Sequence, residues 1–191
     1  MTANGNNNPQ QNQQGKRAYD RTSYILVVDD DNTLLKFFKI HLNKFFSKVI
    51  VVKSAKEAID TLREKEIDLV ISDIRMPRMD GLQLLKRVRK HDPAIPMLMI
   101  SGALLTDEQK QSAEDDADGY LRKPFSVDDL HAFIEKGMQL REKYKKLCEF
   151  LDDKKSFRNV LSGKTKIEKA VTDAAQAGEA TDLLTEIRQA G

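Results

Sequence analysis

From Ser23 onward, short apolar runs alternate with longer stretches in which apolar side chains recur every three or four positions. The runs are YILVVD (24–29), KVIVVK (48–53), DLVISD (68–73), PMLMIS (96–101) and the weaker GYLRK (119–123). They are rich in β-branched residues and apolar on both faces, as expected of parallel strands covered by helices on both sides of a sheet. Between them, Leu34, Phe37, Phe38, Ile40 and Leu42 stand near helical spacing. Ser54 opens S-A-K-E, a capping box with Glu57, ahead of Ala58, Ile59 and Leu62. Leu82, Leu84, Leu85 and Val88 mark a third helix, Thr106 opens a second capping box (T-D-E-Q) for a fourth, and Ser126 starts a fifth. Five strand–helix units in about 120 residues predict a doubly wound α/β domain, a five-stranded parallel sheet with helices on both faces. A ligand of such a fold binds beyond the carboxyl ends of the strands, near the topological switch point.

The pattern changes at both ends of the chain. Residues 1–19 are Asn/Gln-rich and nearly devoid of apolar side chains, so they cannot bury enough surface to offset the entropy of ordering, and they read as a disordered leader. Residues 20–140 hold the α/β domain, and 141–191 form a helical extension. The fifth helix continues past the domain with apolar positions at Leu130, Phe133, Gly137, Leu140, Tyr144, Leu147 and Leu151, in steps of three and four. Gly137 interrupts this seam. Its length and charged flanks (Arg141, Glu142, Lys143, Lys145, Lys146, Glu149) favour a homodimer or helical-partner surface; packing back on the domain and the following segment is the alternative. The rest reads as two or three short helices. One ends at Ser162-Gly163, one is capped by T-K-I-E at Thr165 and carries Ile167, Ala170, Val171 and Ala174, and a last one follows Gly178 with Leu183, Leu184 and Ile187.

Composition narrows the classes of function. With 32 basic and 30 acidic residues among 191, the formal charge is only +2, so no general attraction to nucleic acid or anionic membrane follows. The lone Cys148 cannot form an internal disulfide, and no signal peptide or apolar span is present, which together predict a soluble cytoplasmic protein. The tail is mildly positive without aromatic interleaving, so a nucleic-acid partner is not expected. The string SGKT (162–165) lacks the first glycine of a phosphate-binding loop, which would fall at Arg158. His41, His91 and His131 have no carboxylate or cysteine at ligand spacing and read as surface or packing residues, while Met76, Met79, Met97 and Met99 read as core and loop filling.

The candidate chemistry sits at strand ends. Asp29 and Asp30 close the first run, Asp73 the third, Ser101 the fourth and Lys123 the fifth. Parallel strands point their carboxyl ends the same way, so these residues converge. Clustered carboxylates cannot all stay ionised cheaply; a pKa rises or a cation enters. An oxygen-rich pocket suits a hard divalent ion such as Mg²⁺. A lysine and a hydroxyl beside it supply what a phosphoryl group needs to be held.

The ordered motifs LVVDDDN, DLVISDIRMPRMDG, MLMISG and GYLRKPF, within roughly Tyr24 to Leu140, resemble the response-regulator receiver domains of two-component signalling. The resemblance implies a flavodoxin-like strand order 2-1-3-4-5 and a phosphoacceptor at Asp73, served by a sensor histidine kinase or phosphotransfer protein. It implies Mg²⁺ held by the carboxylates of Asp30 and Asp73 and the backbone carbonyl of Arg75, with Asp29 acting through a bound water. Ser101 and Lys123 would contact the phosphoryl oxygens, Tyr120 would be an aromatic switch that follows Ser101, and Lys123–Pro124 would be cis. Asp31 falls outside this scheme and reads as a helix cap with Asn32. Arg75 and Ala103 stand two residues after Asp73 and Ser101, and neither suits the orientation of an attacking water, which predicts slow self-dephosphorylation. Such a chain is a phosphoacceptor signalling protein rather than an enzyme with a separate substrate, although it assists its own phosphotransfer and dephosphorylation. Its output would pass to a downstream protein partner through the fourth and fifth predicted helices and the tail.

Two other readings compete. Asp29, Asp31 and Thr33 satisfy D-x-D-x-T, which resembles the first motif of haloacid-dehalogenase-type phosphatases. That scheme leaves Asp73 and the MPRMDG loop unused, and the acids it needs after the lysine, Asp128 and Asp129, fall instead at a helix start. The other is a DNA-binding transcription regulator acting through the tail, in which no convincing helix-turn-helix is found.

Overall fold

The computed structural model describes residues 23–46, 48–102, 106, 116–151, 153, 156–164, 170–171 and 174–190. The predicted leader, the body of the helix predicted from Thr106, Ala103 and the T-K-I-E segment from Thr165 lie outside these residues. Five strands, β1 (Tyr24–Val28), β2 (Lys48–Val52), β3 (Leu69–Asp73), β4 (Met97–Ser101) and β5 (Gly119–Arg122), form one sheet in the order β2-β1-β3-β4-β5. Every pairing is parallel, as the two-faced apolar runs require.

Side chains alternate across each strand and feed separate cores. On one face Leu26, Val28, Val70, Met97 and Met99 pack against α2 (Ala55–Glu64) and α3 (Gly81–His91) through Ala58, Leu62, Leu84, Leu85 and Val88. On the other, Ile25, Val27, Leu69, Ile71, Leu98 and Ile100 meet α1 (Asn32–Leu42) through Leu35, Phe38 and Leu42, and α4 (Val127–Phe150) through Leu130, Ile134 and Met138. Phe38 is almost wholly buried, and truncating it to alanine would cost about 3–5 kcal/mol.

The caps at Asp31, Ser54 and Ser126 are the ones the sequence predicts, while the one at Asp80 was not foreseen. Asp31 accepts hydrogen bonds from the amides of Thr33 and Leu34, and Ser54 from Glu57. Capping boxes join Asp80 to Gln83 and Ser126 to Asp129. Each fixes where the chain turns from a strand's carboxyl end into a helix.

α4 runs through two environments. Gly137 faces the sheet at close range, where a Cβ would come within 2.8 Å of Leu69 and 2.9 Å of Leu98, which explains the break in the apolar seam. Beyond it, Leu140, Tyr144, Leu147 and Leu151 are buried against α5 (Phe157–Leu161) and α6 (Ala174–Ala190), in a third core with Phe157, Val160, Ala180, Leu184 and Ile187. This half of the seam is therefore covered by the chain's own tail rather than presented to a second copy. The last helix also begins earlier than expected. Gly178 lies inside α6, exposed and with open space where a Cβ would stand, and Ala174 opens this helix instead of closing an earlier one. A helical glycine costs about 1 kcal/mol relative to alanine, a penalty that burial of Ala180, Leu184 and Ile187 outweighs.

Candidate functional site

Register brings the predicted residues to one edge. Val28 of β1 stands beside Ser72 of β3, Asp73 beside Ile100 of β4, and Ser101 beside Arg122 of β5. The Lys123 amide donates to the Ser101 carbonyl at 2.9 Å, which carries the pairing one step past the strand end. Asp29, Asp73 and Ser101 are buried, Lys123 is half-buried, and Asp30 is exposed beside them. Of the three acids expected in the site, two share a cation. Lys123 Nζ lies 2.9 Å from Asp29 Oδ2 and 2.6 Å from Asp73 Oδ1.

The remaining carboxylate oxygens are held by backbone. Asp29 Oδ1 accepts from the Asp31 amide at 2.8 Å, and Asp73 Oδ2 accepts from the Arg75 amide at 2.6 Å. Burial pushes the Asp29 carboxyl above its ordinary value, against the opposing pull of the Asp31 amide and of Lys123. Burial also works to lower the Lys123 ammonium, but its bonds to Asp73 and Asp29 outweigh this and hold it above its ordinary value.

The loop after β3 fixes the direction of Asp73. The Gly81 amide donates to the Ile74 carbonyl at 2.9 Å, and Ile74 and Met76 are buried beneath the loop. A Cβ at Gly81 would collide with the Asp73 carbonyl oxygen, so this close approach requires glycine. Arg78 takes a left-handed φ of 71°, which a residue other than glycine adopts only at some cost.

Tyr120 is 40% exposed on the outer strand, and Lys123–Pro124 is cis. His41, placed in packing from sequence, contacts the Phe37 ring and carbonyl, and His131 meets Phe45 edge-on. Among the described residues no three of His, Cys, Asp or Glu form a ready-made metal cage, and the two buried carboxylates are bridged by Lys123.

The chain matches the response regulator receiver domain family over residues 25–135. It belongs to that family. The transcriptional regulatory protein ZraR of Escherichia coli K12 is 34% identical over 114 residues, which is 60% of this chain and 26% of ZraR. The DNA-binding transcriptional regulator NtrC of Klebsiella pneumoniae is 31% identical over 112 residues, 59% of this chain and 24% of NtrC. This chain thus matches about a quarter of these curated relatives, their receiver portion. A CheY-like response regulator receiver domain protein from Methanospirillum hungatei JF-1 superposes with a TM-score of 0.60 at 28% identity, covering 64% of this chain and 98% of that one. The receiver fold, its strand order and its place in two-component response regulators all stand on these findings.

A second ionic cluster, at the opposite end of the receiver sheet, was not foreseen. Asp118, just before β5, receives Arg89 at 2.6 Å, Arg158 at 2.9 Å, the Tyr144 hydroxyl at 2.7 Å and the Met97 amide at 2.7 Å. Burial works to raise its carboxyl, but the two guanidinium groups and the hydrogen bonds carry it far below the ordinary range. The one sequence signal was Arg158 itself, noted only for spoiling the phosphate-loop string.

Proposed function

We propose that residues 20–140 form a receiver that takes a phosphoryl group on Asp73 from a phosphohistidine of a sensor kinase or phosphotransfer protein. The observation that carries this is the Asp73 carboxylate, fixed at a strand end by the Arg75 amide and Lys123 beside a second buried acid. An Asp73 oxygen attacks phosphorus, an O–P bond forms as the P–N bond breaks, and the imidazole leaves with a proton. Lys123 and Ser101 line the site and serve the phosphoryl oxygens, and Tyr120 follows Ser101. A charged group with strong acceptors at the strand ends then biases the fold toward its signalling form.

The oxygen-only donor set fits Mg²⁺. Asp29 and Asp73 already converge on one cation, and burial disfavours the ionised form of Asp29 in a way that a divalent ion would offset. Asp30, Asp73 and the Arg75 carbonyl would hold it, with Asp29 acting through water. When bound, it supplies charge stabilisation to the transferring group.

Asp31 is occupied as the cap of α1, which removes the second acid from the phosphatase scheme. The transcriptional roles named for ZraR and NtrC concern proteins that this chain matches over only about a quarter of their length. We therefore favour output through protein contacts over DNA binding; a salt-dependent shift of DNA by the chain would reverse that choice. A cytoplasmic location accompanies this reading, and among the described residues no helix is long and apolar enough to cross a membrane.

The test is intact mass after incubation with Mg²⁺ and acetyl phosphate. The native chain should gain an acid- and base-labile phosphoryl group, and Asp73→Asn should gain none. Equal labelling of both, or of neither, overturns the assignment. With Arg75 two residues after Asp73 and Ala103 two after Ser101 in the sequence, neither able to orient an attacking water, loss of the label should be slow; a lifetime of only seconds refutes that expectation.

A further inference from the structure

Between the receiver and the tail lies a cavity of about 860 Å³, a volume in the range of small-molecule sites, roughly 300–1,000 Å³. One wall is the approach to β5, from Asp116 to Tyr120; the other is the end of α5, the turn after it and the end of α6. Four side chains hold the two walls at this separation: Arg158 and Tyr144 on Asp118, Arg141 on the Ala94 carbonyl and Lys145 on Asp68. The space is therefore set by the fold and not by any single contact.

Its lining joins apolar surface to charge. Leu140, Leu161 and Ile187 supply aliphatic wall. Of the two large apolar side chains exposed among the described residues, one, Tyr120, stands in this wall. An aromatic ring left open to a cavity is surface that a flat apolar ligand would cover.

The charge is one-sided. The lining carries four cations, Arg89, Arg158, Lys164 and Arg188, against two acids, Asp116 and Asp118. Asp118 is wholly engaged, because Arg89, Arg158, the Tyr144 hydroxyl and the Met97 amide all donate to it. Asp116 is thus the one remaining acid set against Lys164 and Arg188, neither of which pairs with a described acid. Donors are in surplus as well, since Arg89 Nε is buried with no acceptor among the described residues. A lining of this kind suits a ligand that brings negative charge and hydrogen-bond acceptors.

The string Ser162-Gly163-Lys164, which fails as a phosphate-binding loop, finds its place here. Gly163 takes a left-handed φ of 76°, and a Cβ on it would lie 3.5 Å from Arg188 Nη2. This turn lies against the Arg188 guanidinium, and Lys164 follows directly, so both unpaired cations belong to one side of the cavity. The end of a helix would ordinarily repel an anion through its free carbonyls. Here Arg188 donates to the Val160 carbonyl at 2.8 Å and to the Leu161 carbonyl at 3.1 Å, which removes that obstacle.

We propose that this cavity is a binding site for a small planar aromatic anion, a ring system bearing a phosphate or a carboxylate. The ring lies along Tyr120 and the aliphatic wall, and the anionic group meets Lys164 and Arg188. Such a ligand touches receiver and tail at once, and its binding does not depend on the state of Asp73.

Fluorescence titration of the full chain with anilinonaphthalene sulfonate, a planar aromatic anion whose emission rises in apolar surroundings, tests this. The native chain should bind one equivalent saturably. Naphthyl phosphate or naphthoate should displace the probe, and the stronger of the two tells phosphate from carboxylate; inorganic phosphate and the uncharged naphthyl methanol should not. Lys164→Glu, at an exposed position, should weaken binding about tenfold, and Asn159→Trp, which places a large ring in the cavity, should abolish it. Far-ultraviolet circular dichroism should show both variants folded. Absence of saturable binding overturns the proposal. So does binding that neither variant weakens, which would lie elsewhere on the molecule, or displacement by the uncharged alcohol as readily as by the anions.

Discussion

Two ionic clusters stand at opposite ends of one sheet with inverse compositions. At the carboxyl end, two carboxylates share one ammonium, Asp29 and Asp73 on Lys123. At the other, two guanidinium groups share one carboxylate, Arg89 and Arg158 on Asp118, with Tyr144 as a third donor. The first has an excess of negative charge. The second is saturated with donors around its single acid and serves attachment. Both owe their burial to the same parallel strands, so the difference lies in the ratio of charges rather than in the fold.

The comparison predicts unequal costs of neutralisation. Asp118→Ala leaves two buried guanidinium groups facing each other and should destabilise the chain by about 3–5 kcal/mol in urea unfolding. A loss as small as that of an exposed acid would show the lower cluster to be ornamental. Gly81→Ala should follow at about 1–3 kcal/mol, because a Cβ there meets the Asp73 carbonyl, and it should also slow labelling by acetyl phosphate. Arg158→Gln should cost only about 1–2 kcal/mol, since Asp118 retains Arg89 and the Met97 amide.

The smallest effect is one of sign. The Asp29 carboxyl is raised by burial, so between the ordinary carboxylate pKa of about 3.9 and its higher folded value the folded state binds more protons than the unfolded one. Stability drawn from this group is complete below that window and is lost as pH rises through it. Asp29→Asn should therefore gain on the native chain in urea midpoint as pH rises across the window. Asp118 has the opposite slope. Its lowered pKa gives stability that is present above about pH 3.9 and lost on acidification, so Asp118→Asn should be penalised most at neutral pH. Parallel pH profiles for the two variants would contradict the contrast.

The upper cluster was legible in the sequence because its members share a simple rule: each ends an apolar run, and parallel strands end together. Asp31 was legible as a cap for an equally local reason. The lower cluster follows no such rule. Asp118 and Arg158 are 40 positions apart, joined by a long helix and a reversal whose geometry no short pattern encodes. The seam failed in a similar way, since steps of three and four say that Leu140, Tyr144 and Leu147 will be covered but not by which helix. Gly178 misled because propensity is a weak local preference that tertiary burial overrides.

α4 belongs to both the sheet's core and the tail's core, and Arg141 is buried where one gives way to the other, bonded to the Ala94 carbonyl at 2.8 Å. The boundary between modules thus falls inside a continuous helix, with no loop at which a tail could be exchanged. Grafting this tail onto another receiver would need the recipient to supply a small residue at the Ala94 position and an acid at that of Asp118, with the helical phase preserved to the residue. Recombination at the family boundary near residue 135 would break all of these at once. This tail and this receiver are therefore expected to diversify as a matched pair, each constraining substitutions in the other.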